Sequence, residues 1–111
     1  DRDRTKRPRM ARAAAELADH VVLTSDNPRT EDPEGILRDM EAGLEGDLVR
    51  HSTTITDRRE AIFAAVRETA PRGCVLVAGK GHETYQILGT KKIPFDDARV
   101  LREALAERAG E

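Results

Sequence analysis

Two short runs, HVVLT at 20–24 and CVLVAG at 74–79, constrain this chain more than any other feature. Both are apolar at nearly every position and rich in β-branched residues. A strand with one wet face alternates apolar and polar side chains, whereas a continuously apolar strand must be covered on both faces. The cover has to come from the segments between, where apolar residues recur at helical spacing. The pattern therefore predicts an α/β fold: a mostly parallel sheet covered by helices.

Local signals fill in the elements. A helix is expected from about Pro8, with Met10, Ala13, Ala14, Leu17 and Ala18 inward. Asp32 or Thr30 caps a second helix, with Pro33 in its first turn and Ile36, Leu37, Met40 and Leu44 as one apolar stripe. GDLVRHST reads as a turn followed by a weaker strand. Asp57 caps RREAIFAAVRETA, whose Ile62, Phe63, Val66 and Ala70 face inward, and Pro71 and Gly73 end that helix. CVLVAG is the most strand-like segment of all. YQILGTKKIPF, at 85–95, reads as an antiparallel hairpin turning near Gly89, at one edge of the sheet. Residues 96–109 close the chain as a helix, with Ala98, Leu101 and Leu105 inward.

The chain has 111 residues, enough for one domain with a core but not for two. No apolar run approaches the roughly 20 residues of a membrane span, and no apolar region backs the opening DRDRTKRPR as a signal peptide would. A formal net charge of −2 gives no global attraction to nucleic acid or membrane. A single cysteine, Cys74, excludes an internal disulfide and fits a reducing, cytoplasmic setting. The chain opens in a charged cluster without an initiator methionine, which reads as one domain of a longer protein.

In a parallel sheet, ligands bind beyond the carboxyl ends of the strands. Two loops occupy that position, TSDNPR after 20–24 and GKGHETYQ after 74–79. In the second, Gly79 and Gly81 allow close backbone approach. Neither nucleotide-binding fingerprint is met, and Glu83 would repel a phosphate but accept an ammonium. In the first, Arg29 is a fork of donors suited to a carboxylate, stiffened by Pro28. Asn27 offers both a donor and an acceptor, and Asp26 can fold back on its own loop. Taken singly, each loop reads equally well as a tight turn. Together they set carboxylate donors, Arg29 and Arg2, beside ammonium acceptors: Glu83, Asn27 and the Gly79 carbonyl. That set is complementary to a zwitterionic amino acid.

Three motifs, DRDxxKRP at 1–8, DNPR at 26–29 and GKGHExYQ at 79–86, closely resemble those of the Mur ligases. The likeness is to the type that adds meso-diaminopimelate to UDP-N-acetylmuramoyl-L-alanyl-D-glutamate in peptidoglycan synthesis. It runs over nearly the whole chain, in the order and spacing of that family's C-terminal domain. The resemblance implies a Rossmann-like unit, residues 1–111, truncated at its N-terminal side and closing over a central ATPase domain. It implies that Asp26, Asn27, Pro28 and Arg29 form the diaminopimelate recognition motif, with Gly79, Glu83 and Arg2 as further binding positions. Arg29 and Arg2 then suit the distal carboxylate, which L-lysine lacks, and Glu83 and the Gly79 carbonyl suit the ammonium.

By the same resemblance the full enzyme uses ATP and Mg²⁺ to form an acyl-phosphate on the D-glutamate side chain, which the amine of diaminopimelate attacks. The phosphate-binding loop and the modified lysine near Mg²⁺ belong to domains upstream of Asp1. No catalytic or metal-binding residue is expected in this chain, and alone it should be silent. The alternative is a stand-alone, non-catalytic module that binds a protein partner or a small anion.

Other chemistry-bearing residues read as structural. His82 orders its loop or meets solvent. Lys80 is assigned loosely to ATP or the acyl-phosphate. Cys74 reads as core, and His20 and His51 lack metal-ligand spacing. The run Arg2, Arg4, Lys6, Arg7, Arg9, Arg12 reads as a solvated helix start or a face toward missing domains. With 3% aromatic residues there is little for nucleobases to stack on.

Overall fold

The computed structural model describes residues 6–27, 31–80 and 83–110. Helix α1 (Lys6–Leu17) leads to strand β1 (Val21–Leu23), then helix α2 (Pro33–Glu41), the single-turn α3 (Asp47–Arg50) and strand β2 (Ser52–Thr54). Helix α4 (Arg58–Glu68), the hairpin β3 (Tyr85–Leu88) and β4 (Lys91–Pro94), and helix α5 (Asp97–Arg108) complete the order. β1 and β2 pair in parallel, Val22 opposite Thr53, and β3 and β4 pair antiparallel, Gln86 opposite Ile93. The α/β class and the hairpin are as the sequence predicts.

The caps follow sequence chemistry. Asp32 accepts from the Glu34 amide, Asp57 from those of Arg59 and Glu60, and Asp96 from that of Ala98. Each side chain satisfies amides that the first helical turn leaves without partners. The segment before β2 departs from expectation by forming α3 rather than a plain turn.

The apolar residues gather into two clusters. Ala11, Ala15, Val21, Leu23, Leu37 and Leu44 form one, under α1 and α2. Ile62, Phe63, Val66, Val100 and Ala104 form the other, between α4 and α5, with Val75, Val77, Phe95 and Leu101 packed against it.

CVLVAG corrects the sequence reading. Residues 74–79 form no strand, and among the described residues no backbone hydrogen bond reaches them from another segment. The chain there still alternates its side chains with period two, as extended chain does. Val75 and Val77 turn to the core, while Leu76 is 87% exposed and Cys74 is exposed rather than core. An apolar run makes a strand only if a neighbouring backbone accepts its amides, and β1 pairs with β2.

Helix α1 is turned from its expected face. Arg7, Ala11 and Ala15 are buried, whereas Met10 and Leu17 are exposed, as are Ala13, Ala14 and Ala18. Small residues let α1 come close to the end of α2: a Cβ on Gly43 would lie 2.0 Å from the Pro8 carbonyl oxygen. Arg7 must also face α2, because its guanidinium donates to both oxygens of Glu31 at 2.6 and 2.8 Å and to Asp39 at 2.9 Å. The hydrogen bond to Glu31 chiefly raises the Arg7 pKa above the ordinary guanidinium value.

In α5 the buried positions are Val100 and Ala104, with Leu101 half-buried; Ala98 and Leu105 point outward. Ala70 lies beyond the end of α4 and is exposed. The errors at Ala98 and Ala70 come from reading alanine as an inward residue, although its small side chain is content on either face.

Candidate functional site

Both loops leave the same side of the molecule and meet. The end of the first is fixed from beneath by Arg58, which opens α4 and has a side chain only 3% exposed. Its guanidinium donates to the Ser25 carbonyl at 3.2 Å, to the Ala78 carbonyl at 3.2 Å and to both Asp97 oxygens at 2.8 and 2.6 Å. One side chain thus ties the end of β1, the end of the 74–79 segment and the start of α5. A cation in the first turn of a helix opposes the helix dipole. That opposition is the sequence signal that Arg58 has a partner elsewhere, and sequence reading passed over it.

Above Arg58 the loops interlock through three side chains. Asn27 donates from Nδ2 to Glu83 Oε1 at 3.2 Å and accepts the Ile87 amide on Oδ1 at 2.8 Å. Gln86 donates to the Asp26 carbonyl at 2.8 Å. Lys80 donates to Asp26 Oδ1 at 2.9 Å and to the Tyr85 carbonyl. Its side chain is fully buried, with Nζ 5.7 and 5.9 Å from the ring centres of Tyr85 and Phe95. Such a position favours a cation over the ring faces.

Glu83 is half-buried and accepts on Oε2 from the Tyr85 hydroxyl at 3.4 Å. Its described partners, Asn27 and Tyr85, are both neutral. A carboxylate has about four acceptor positions, so Glu83 retains capacity for a cationic donor. Gly79 is exposed, with φ 105°, and nothing lies within 4 Å of where its Cβ would be. That backbone conformation favours glycine.

Four of the residues singled out in the sequence, Asp26, Asn27, Gly79 and Glu83, therefore stand in one loop pair. Arg2, Pro28 and Arg29 lie outside the described residues, as does His82. Glu31, where the described chain resumes, accepts from Arg7 on both oxygens. Lys80 contradicts its loose assignment to a phosphate ligand, since its ammonium points into the protein. His20 shares a 2.9 Å hydrogen bond with Thr53. Among the described residues, no group of three His, Cys, Asp or Glu side chains is placed to hold a metal ion. No described helix is long and apolar enough to cross a membrane.

Comparison with known proteins gives one consistent result. The family described as "Mur ligase, glutamate ligase domain" matches residues 1–81. A UDP-N-acetylmuramoyl-L-alanyl-D-glutamate–2,6-diaminopimelate ligase from Gloeobacter violaceus is 60% identical over 108 residues, covering 97% of this chain and 22% of that protein. The ligase of the same name from Geobacillus kaustophilus is 55% identical over 108 residues, covering 97% of this chain and 22% of its own length. A solved structure of a ligase of that name superposes with a TM-score of 0.87 at 48% identity, over 98% of this chain and 22% of that one. The chain spans about a fifth of the length of these relatives, 22% in each case.

Proposed function

Because this chain belongs to the Mur ligase family, matching its glutamate ligase domain, we propose that it is the amino-acid-binding part of an ATP-dependent ligase. The longer protein adds meso-diaminopimelate to UDP-N-acetylmuramoyl-L-alanyl-D-glutamate for the cell wall, and does so in the cytoplasm. The observation that carries this reading is Glu83. A half-buried carboxylate, held by two neutral donors beside the open Gly79 backbone, is suited to an amino acid's ammonium.

Each residue has a separable task. Glu83 and the Gly79 carbonyl receive the ammonium of the distal end. Arg29, stiffened by Pro28, and Arg2 receive its carboxylate, by their places in the motifs. Asn27 and Asp26 keep the two loops at the spacing this requires. An amine bound only at its distal end leaves the other amine free to attack an activated carboxyl group. Holding it in one orientation lowers the entropy cost of that attack. ATP and Mg²⁺ activate the acceptor. Both are assigned mainly to the central domain of the longer protein, as the family resemblance implies.

The test is Glu83→Gln in the full-length ligase, which keeps shape and removes charge. KM for diaminopimelate should rise by an amount corresponding to about 1.5–3 kcal/mol, the range for a hydrogen bond to a charged group. An unchanged KM would remove Glu83 from the site and the reading with it.

A further inference from the structure

Among the described residues, Lys80 is the one ammonium group sealed between the two loops. Its side chain has no exposure, whereas its partner Asp26 keeps 22%. All its contacts face inward: the Asp26 carboxylate, the Tyr85 carbonyl and the Tyr85 and Phe95 rings. Nothing is left for a phosphate outside. Its position in the chain is equally telling, because it directly follows the exposed Gly79 and stands three residues before Glu83.

Asp26 in turn precedes Asn27, which holds Glu83. The Lys80–Asp26 pair therefore closes a ring: Asp26, Asn27, Glu83 and, through the Glu83 amide on the Lys80 carbonyl at 3.2 Å, Lys80 again. Such a ring fixes the distance between the two loops, and with it the distance between whatever each loop presents to a ligand.

We infer that Lys80 is a positioning residue for amino-acid selection, acting through Asp26 to set the separation of Asp26 and Asn27 from Gly79 and Glu83. The inference rests on the site reading proposed above and deepens it. It gives Lys80 no contact with substrate or nucleotide. A loop pair whose spacing drifts would still admit ATP and the acceptor, but would meet the two ends of a zwitterion at the wrong distance. The cost should fall on diaminopimelate alone.

The experiment uses the full-length ligase with Lys80→Met, Asp26→Asn and both together, measuring KM for diaminopimelate and for ATP separately. Lys80→Met should raise KM for diaminopimelate by about tenfold or more, as small misplacements do. KM for ATP should stay within about twofold, since nucleotide binding is untouched. Adding Asp26→Asn to Lys80→Met should cause no further loss and should recover part of it, because the stranded carboxylate is then neutral.

A shift in KM for ATP with diaminopimelate unaffected would overturn the inference in favour of a phosphate contact. Multiplying effects in the double variant would overturn it as well, since Lys80 and Asp26 would then act independently. If Lys80→Met alone does not fold, the double variant against Asp26→Asn decides: equal KM values support the ring, and a further rise overturns it. Failure of the double variant to fold would make Lys80 part of the scaffold and end its role in selection. Glu83→Gln in the same assay separates the two levels. If it is without effect, the site reading falls. If only the Lys80 arm fails, the positioning role falls alone.

Discussion

Two charged seams run through this molecule, and they are built from similar distances with opposite surroundings. Between the loops, Lys80 and Asp26 meet at 2.9 Å with side chains 0% and 22% exposed. Between α4 and α5, Arg59 meets Glu103 at 3.1 Å and Arg67 meets Glu107 at 3.1 Å, with every one of those side chains 43% exposed or more. Distance does not separate the two seams; water does. In solvent a pair gains little over its hydration and is screened by salt. Out of solvent, each partner depends on the other, and losing one strands a charge. The helix seam can change residue at small cost, whereas the loop seam holds a geometry.

The sharpest way to break that contrast is Arg58→Met. Arg58 underlies the loop seam, and its removal leaves Asp97 unpaired and the Ser25 and Ala78 carbonyls without their donor. Breaking a buried pair from one side costs about 3–5 kcal/mol. Denaturant unfolding of the chain should show a loss of that order. A loss no greater than that of an exposed arginine would mean burial is not what distinguishes the seams.

Next in size is Arg7→Met. Arg7 ties α1 to Glu31 and α2, but Glu31 and Asp39 are about a third exposed, 30% and 27%, so water can replace part of what is lost. The expected cost is about 1.5–3 kcal/mol, toward the lower end, read from thermal unfolding. A value equal to that of Arg58→Met would show that partial exposure of the carboxylates brings no relief.

Asn27→Ala comes third and probes the neutral part of the loop seam. It leaves the Ile87 amide without its acceptor and frees Glu83 on one side. An unsatisfied, partly buried donor costs about 1–3 kcal/mol, reduced here because water can approach. The variant should also weaken diaminopimelate use in the full-length enzyme more than it lowers the melting temperature would suggest. Equal effects on both would make Asn27 a stability residue only.

The contrast also explains what was legible in the sequence. The caps at Asp32 and Asp57, the hairpin and β1 depend on local chemistry, and local chemistry is written in the sequence. That the two loops meet was legible too, because each follows an apolar run and the motifs name their residues, although only the first run forms a strand. What was hidden depends on partners distant in sequence. Whether 74–79 pairs as a strand depends on a neighbouring backbone. Which face of α1 is buried depends on Arg7 finding Glu31, 24 residues away. Lys80 was assigned loosely to ATP or the acyl-phosphate, because nothing local reveals that Asp26, 54 residues earlier, pairs with it.

The smallest expected effect belongs to the helix seam and is tested by Glu103→Gln. The hydrogen bond from Arg59 is the main cause that lowers the Glu103 pKa below its ordinary value. A carboxyl group whose pKa is lower in the folded state adds stability above its unfolded pKa, about 4.3, and loses it as pH falls through the folded value. Wild type should therefore exceed Glu103→Gln slightly at neutral pH, and the difference should close in acid as Glu103 is protonated. Because both partners are solvated, the difference should also shrink in high salt. Thermal unfolding of the two proteins across pH, at low and high salt, measures all of this. A large gap that survives salt would mean the helix seam is as structured as the loop seam, and exposure would no longer account for the division between them.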